Sequence, residues 1–310
     1  MSGTIAALVP VFAVIVLGYV LRRGRFVDDG FWTAAERITF YVFFPALLVA
    51  STAKADLAGL DVAAMALALV GAIALVLAVA RWLRRPLRLD GPAYSSLVQS
   101  AIRPNVYVAF SAAAALFGRD GLTAMSLCIA IVVPAVNVIS VYVLVRHGTG
   151  ANGGGAGKGE WRRIATGVAG NPLVLACAVG FALNLTGVGA PPLVGPLLEI
   201  LGQASLAVGL LAVGAGLDPA ALRRAGGSVV AASVLKLAVL PLVTWLLALA
   251  LGIKGVPLAA VVIAAAVPVS ATAYVMARQM GGDAKIMAGA ITATTLAAAL
   301  TMPLILSLAS

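Results

Sequence analysis

Gln99-Ser-Ala-Ile-Arg103-Pro104-Asn105-Val-Tyr107 sets a charge and a proline in the middle of an otherwise apolar run. Pro104 removes a backbone donor, and its ring drives Arg103 out of helical geometry. A second stretch repeats the pattern without the charge: Val267-Pro268-Val-Ser270-Ala-Thr272-Ala-Tyr274. Helices broken at this depth expose backbone N–H and carbonyl groups. Inside a bilayer that is tolerated only against protein or a water-filled cavity. The two stretches therefore predict a membrane protein built around a paired break, with an internal site beside it.

The rest of the chain agrees. Of 310 residues, 62% are apolar and 10% charged, and the mean hydropathy is +1.09. Soluble domains are nearer 45–50% apolar and about 25% charged. About 20 apolar residues cross the hydrocarbon core. On that length, spans are predicted at 4–21, 31–52, 60–82, 92–117, 122–146, 162–186, 195–217, 225–250, 256–279 and 284–308. The first run lacks a positive n-region and reads as a retained helix rather than a cleaved signal. Arg103 and Pro104 fall in the fourth span, and Pro268 in the ninth.

The net charge of +10 lies in short clusters between spans rather than on a nucleic-acid-binding face. Sixteen of the 21 basic residues fall on the odd-numbered connections, including Arg22, Arg84, Arg146, Arg223 and Lys285. Lys54, Arg119 and Lys254 fall on the other side. The positive-inside rule makes the richer side cytoplasmic and puts both termini outside.

The chain also repeats itself. Pro10-x7-Gly18 and Pro172-x7-Gly180 are 162 residues apart, Trp82 and Trp245 are 163, and Pro104 and Pro268 are 164. Gly118-Arg-Asp120 and Gly281-Gly-Asp283 again lie 163 apart. Five spans per half is an odd number, so the halves oppose each other in the membrane. Such inverted repeats place a transporter's substrate site at their interface near mid-membrane. The predicted fold is an all-α membrane protein of ten transmembrane helices, arranged as two inverted five-helix repeats with broken crossover helices 4 and 9. The repeats occupy 1–147 and 161–310. The Gly-rich segment 148–160 joins them on the cytoplasmic side. Its formal GxGxxG lacks the preceding strand that a dinucleotide loop needs.

Intramembrane polar groups are the functional candidates. Arg103 leads, with Asn105 and Tyr107 beside it and Ser270 and Thr272 after the second proline. Asn137 follows Pro134 by one turn, where it makes an interhelical hydrogen bond or touches a ligand. Lys236 serves a substrate or a carbonyl of a broken helix. Gln203 and Ser205 reach the centre or glue helices together. Glu36 and Glu199 lie near span ends, and other spans are almost free of carboxylates. The two charges well inside spans, Arg103 and Lys236, are positive, which favours an anionic substrate. No HExxH, GxSxG or paired acids point to an enzyme. Cys128, Cys177 and His147 are each isolated, so neither a metal centre, a disulfide framework nor any cofactor is expected.

At these residues the chain resembles a known family. Arg103-Pro-Asn105-Val-Tyr107, Ala-Leu-Phe-Gly118-x-x-Gly121 and Pro134-Ala-Val-Asn137 look like the first crossover region of the auxin efflux carriers. Phe44-Pro45-Ala-Leu resembles their second helix. Asn171-Pro172-Leu, Gly202-Gln203-Ala-Ser-Leu and Val213-Gly-Ala-Gly216-Leu resemble the sixth and seventh. Ala273-Tyr274-Val-Met-Ala-Arg278-Gln-Met-Gly-Gly-Asp283 resembles the ninth. The resemblance is to a bacterial member, within the superfamily that includes the bile acid/sodium symporters. It implies a multi-pass inner-membrane carrier with a scaffold of helices 1, 2, 6 and 7 and a mobile transport unit of helices 3–5 and 8–10. Its mechanism is then elevator-type alternating access, secondary active or potential-driven. The cargo implied is a small organic anion such as malonate, malate or an auxin-like acid. A sodium-coupled symporter of the bile-acid type is the alternative, and a homodimer is the assembly left open.

Overall fold

The computed structural model describes residues 2–54, 61–149, 170–190, 192–223 and 226–309. Residues 150–160 of the predicted linker and the start of the predicted sixth span lie outside them.

Apolar composition writes most of the elements directly. In the first half they are α1 (Ser2–Arg23), α2 (Asp29–Ile38), α3 (Phe44–Ala53), α4 (Val62–Leu83), α5 (Gly91–Ile102) and α6 (Val106–His147). In the second half they are α7 (Pro172–Leu185), α8 (Val194–Ala215), α9 (Pro219–Arg223), α10 (Gly227–Val234), α11 (Leu240–Ala250), α12 (Gly255–Ala266), α13 (Thr272–Met280) and α14 (Ala284–Ala309). Among the described residues, seven helical stretches are long and apolar enough to cross a membrane, and α7 and α12 are shorter apolar helices. The 42-residue α6 is two helices in one: Gly118 sits at φ 56° and ψ −131°, outside helical geometry, so the chain turns there. Large apolar side chains point outward along these helices, with Leu300 73% and Trp82 71% exposed. A surface of that kind faces hydrocarbon rather than water.

Two prolines leave a mark inside otherwise continuous helices. α2 and α3 are joined by a π turn at Thr39–Phe43, and α10 and α11 by another at Leu235–Val239. Pro45 and Pro241 each come two residues after the turn. A proline ring collides with the carbonyl four residues back, and widening that turn relieves the collision.

The helices break at both prolines, as the sequence predicts. α5 stops at Ile102, Arg103 and Asn105 are extended, and α6 begins at Val106. Likewise α12 stops at Ala266, Val267 is extended, and α13 begins at Thr272. The two breaks meet. Pro104 and Val269 form an antiparallel bridge, and the Asn105 N–H donates to the Pro268 carbonyl at 2.8 Å. Around them, α6 packs along α12, α11 lies against α4 and α12, and α14 packs on α10 and α12.

A second set of contacts depends on glycine. α1 packs along α8, and α3 lies against α7 and α8. A Cβ on Gly18 would sit 2.1 Å from the Leu211 carbonyl oxygen, and one on Gly214 would sit 1.8 Å from that of Ile15. Such backbone-to-backbone approach is how membrane helices associate when no hydrophobic drive separates them from lipid. Gly214→Val must therefore splay α1 from α8, at a cost of about 1–3 kcal/mol for overpacking. It is expected to lower the apparent melting temperature of the purified protein by several degrees. Gly30→Ala, where an added Cβ meets nothing within 4 Å, is the control expected to leave the melting curve in place.

Candidate functional site

Beside the paired break lies a cavity of about 490 Å³. The break itself supplies Arg103, Pro104, Tyr107, Ser270 and Thr272, α6 adds Asn137, and α2 adds Glu36. Phe40, Phe44 and Val136 contribute apolar wall.

Arg103 is the chemical centre. It is buried, and its guanidinium is held from three directions by neutral groups. One terminal nitrogen donates to Asn137 Oδ1 at 3.1 Å and Ser140 Oγ at 3.3 Å, and the other donates to Thr272 Oγ1 at 3.2 Å. Thr272 Oγ1 also pairs with Ser270 Oγ at 2.9 Å. Nε is buried without a partner. No carboxylate is in contact: among the described residues the ion pairs are Arg22–Asp29 and Lys54–Glu199. Dipoles fix the guanidinium's orientation but leave its charge uncompensated. An unpaired buried charge is costly, and an anionic group brought beside it would offset that cost. The N-termini of α6 and α13 open at the same break, adding positive potential.

The structure sorts the predicted site residues. Arg103, Pro104, Tyr107, Asn137, Ser270 and Thr272 line one cavity. Tyr107 packs edge-on against Phe44, with ring centroids 5.0 Å apart. Asn105 lies behind the wall, where its side chain caps α6 by accepting from the Val108 N–H. Pro268 gives its carbonyl to the bridge. Gln203 is exposed on α8 and is not among the lining residues, and Ser205 bonds back to the Gly202 carbonyl.

Lys236 does not line this cavity. From its π turn it donates to the Ala265 carbonyl at 2.9 Å. The reason is a backbone account. In a continuous helix that carbonyl would receive the Val269 N–H. Past the Pro268 break, the Val269 N–H goes instead to Thr294 Oγ1 at 3.1 Å. Lys236 takes over the orphaned acceptor.

Two contributors escape a reading by sequence. Ser140 follows Asn137 by three residues, so both present to Arg103 from one face of α6; that spacing was the available signal. Glu36 lines the cavity from the last turn of α2, just ahead of the wide turn before Pro45, which apolar periodicity does not reveal. Asn171, the cap of α7, also lines the wall.

Removing the Lys236 ammonium leaves a buried carbonyl unpartnered, at a cost of about 1–3 kcal/mol. Lys236→Met is thus expected to lower the melting temperature while changing the affinity of a cavity ligand less than about threefold. Thermal melts with and without that ligand separate the two effects.

Residues 165–306 match a family model described as "Membrane transport protein". A protein of Methanothermobacter thermautotrophicus named "Uncharacterized transporter" is similar at 23% identity, with 97% of each chain covered. Together these bear out the resemblance to the auxin efflux carrier family, and both are similarities to membrane transport proteins.

Proposed function

We propose that this transporter is a secondary carrier of a small organic anion, held at Arg103. One observation carries the reading: a buried guanidinium, presented into a cavity at the crossing of two broken helices, with only neutral hydrogen-bond partners. A carboxylate accepts from such a donor set in a charge-assisted, directional way. The cavity volume of about 490 Å³ suits a molecule the size of a short dicarboxylate or an aromatic acetic acid. Asn137, Ser270 and Thr272 supply further polar contacts, and Tyr107, Phe40 and Phe44 supply apolar wall.

The helices compose ten spans in two inverted halves. Three features support that arrangement. The breaks bridge antiparallel. α5 and its break are followed by a half-helix and a left-handed glycine, Gly118 at φ 56°. α12 and its break are followed by a half-helix and Gly281 at φ 76°. In this reading α1–α3, α7 and α8 make a scaffold, and the bundle around the breaks moves against it, exposing the site to either side in turn. Both termini then lie outside the cytoplasm, a placement the arginine distribution supports.

The test is uptake of labelled malonate, malate and indole acetate into proteoliposomes, with and without sodium. Loss of a charged hydrogen bond costs about 1.5–3 kcal/mol, or roughly 10- to 100-fold in affinity. Arg103→Ala is expected to lose uptake by that order at subsaturating substrate, and Arg103→Lys to recover part of it. Undiminished uptake by Arg103→Ala overturns the assignment.

A further inference from the structure

Glu36 is the second charged side chain of the central cavity; Arg103 is the other among its lining residues. Glu36 also lines a neighbouring cavity of about 1090 Å³, which lies under the loop Arg22–Asp29 and the turn at Gly216–Pro219. It therefore stands where one space meets the other. It is half-buried, and its carboxylate has no hydrogen-bond or ion-pair partner among the described residues.

The charge count has a consequence. With Glu36 ionised, the empty central cavity holds one positive and one negative charge. A monoanion bound at Arg103 then leaves an excess negative charge in a partly apolar space. Like charges brought together disfavour ionisation of one of them. A proton on Glu36 restores balance. We propose that Glu36 is the proton-linked residue of this transporter: an organic anion enters the site together with a proton that Glu36 accepts, and ionisation of Glu36 drives the anion out. The inference rests on the anion reading of the cavity and adds its coupling.

The surroundings leave Glu36 as the group that responds. Arg22, Arg23 and Arg25 line the lower cavity with Asp28, Asp29 and Asp218, and all six are exposed to solvent that screens them. The remaining ionisable lining groups are the phenols of Tyr19, Tyr41, Tyr107 and Tyr274. Arginine and phenol groups ordinarily keep one charge state between about pH 5 and 8. On α8, which packs against α2, Glu199 is already paired with Lys54 at 2.6 Å, at the end of the helix away from Glu36.

Linkage is reciprocal, so proton uptake and pH-dependent affinity are one effect seen twice. Titration calorimetry of malonate and indole acetate into the purified protein, in two buffers of different ionisation heat, measures the uptake directly. The wild type is expected to take up protons on binding and to lose affinity as pH rises from 6 to 8, by at most about tenfold per pH unit for one linked proton. Glu36→Gln is expected to bind without proton uptake, with a flat pH profile and tighter than wild type at pH 8. Buffer-independent heats in the wild type overturn the proposal without recourse to any variant. An unchanged pH slope in Glu36→Gln overturns it as well, and Glu36→Ala stands in if the glutamine variant does not elute as a folded protein. Binding that depends on Arg103 but takes up no proton sinks the role of Glu36 alone. Failure of both acids to bind wild type, or binding undiminished in Arg103→Ala, overturns the anion reading and this inference with it.

Discussion

Two prolines inside apolar helices impose a debt of hydrogen bonds, and the centre of the molecule is organised by how that debt is met. Pro104 and Pro268 interrupt their helices where lipid offers no donors or acceptors. The Asn105 N–H finds the Pro268 carbonyl at 2.8 Å, the Val269 N–H finds Thr294, and the Ala265 carbonyl finds Lys236. Each solution recruits a different element: the opposite break, α14, and the π turn between α10 and α11. The break is thus a junction that ties separate helices together. It explains why polar residues as unlike as Thr294 and Lys236 are buried in an apolar bundle.

The same break creates the site. Unwinding at Arg103 frees its side chain from the helix surface and turns the guanidinium toward Asn137, Ser140 and Thr272. Those partners are dipoles. A carboxylate in their place would satisfy the charge permanently and would compete with any incoming anion. Neutral acceptors hold the geometry while leaving the electrostatic attraction available, which is the preorganisation that a reversible binding site needs. The tight glycine contacts of α1 with α8 and of α7 with α3 lie on other helices, and they hold a wall against which the cavity forms.

Much of this was legible in the chain. The prolines, Arg103, and the hydroxyls of Ser270 and Thr272 stand out because they violate an apolar background, and such violations are costly enough to be informative. The directions of side chains were not legible. A soluble helix announces its inner face by amphipathicity. A membrane helix is apolar toward lipid and toward protein alike, so that signal vanishes. This is why Gln203 and Lys236 read as equal candidates, although one is exposed on α8 and the other is fully buried on a backbone carbonyl. Asn105 hides for a different reason. Beside a proline break its side chain is needed as a helix cap, a local demand that outranks the cavity.

Arg103 and Glu36 share a cavity yet stand on elements from the two packing groups, the broken helices on one side and the α1–α3, α7, α8 cluster on the other. No ion pair locks one to the other. Their separation is therefore set by a helix–helix interface rather than by a bond between them. Any rearrangement that slides α6 past α3 and α8 changes the field each charge places on the other. On the proposed reading, anion affinity at Arg103 and proton affinity at Glu36 are then functions of conformation as well as of one another, because a ligand shifts a conformational equilibrium by its difference in affinity for the two states. A carrier needs that property: it ties the occupancy of the site to the side from which the site is reached.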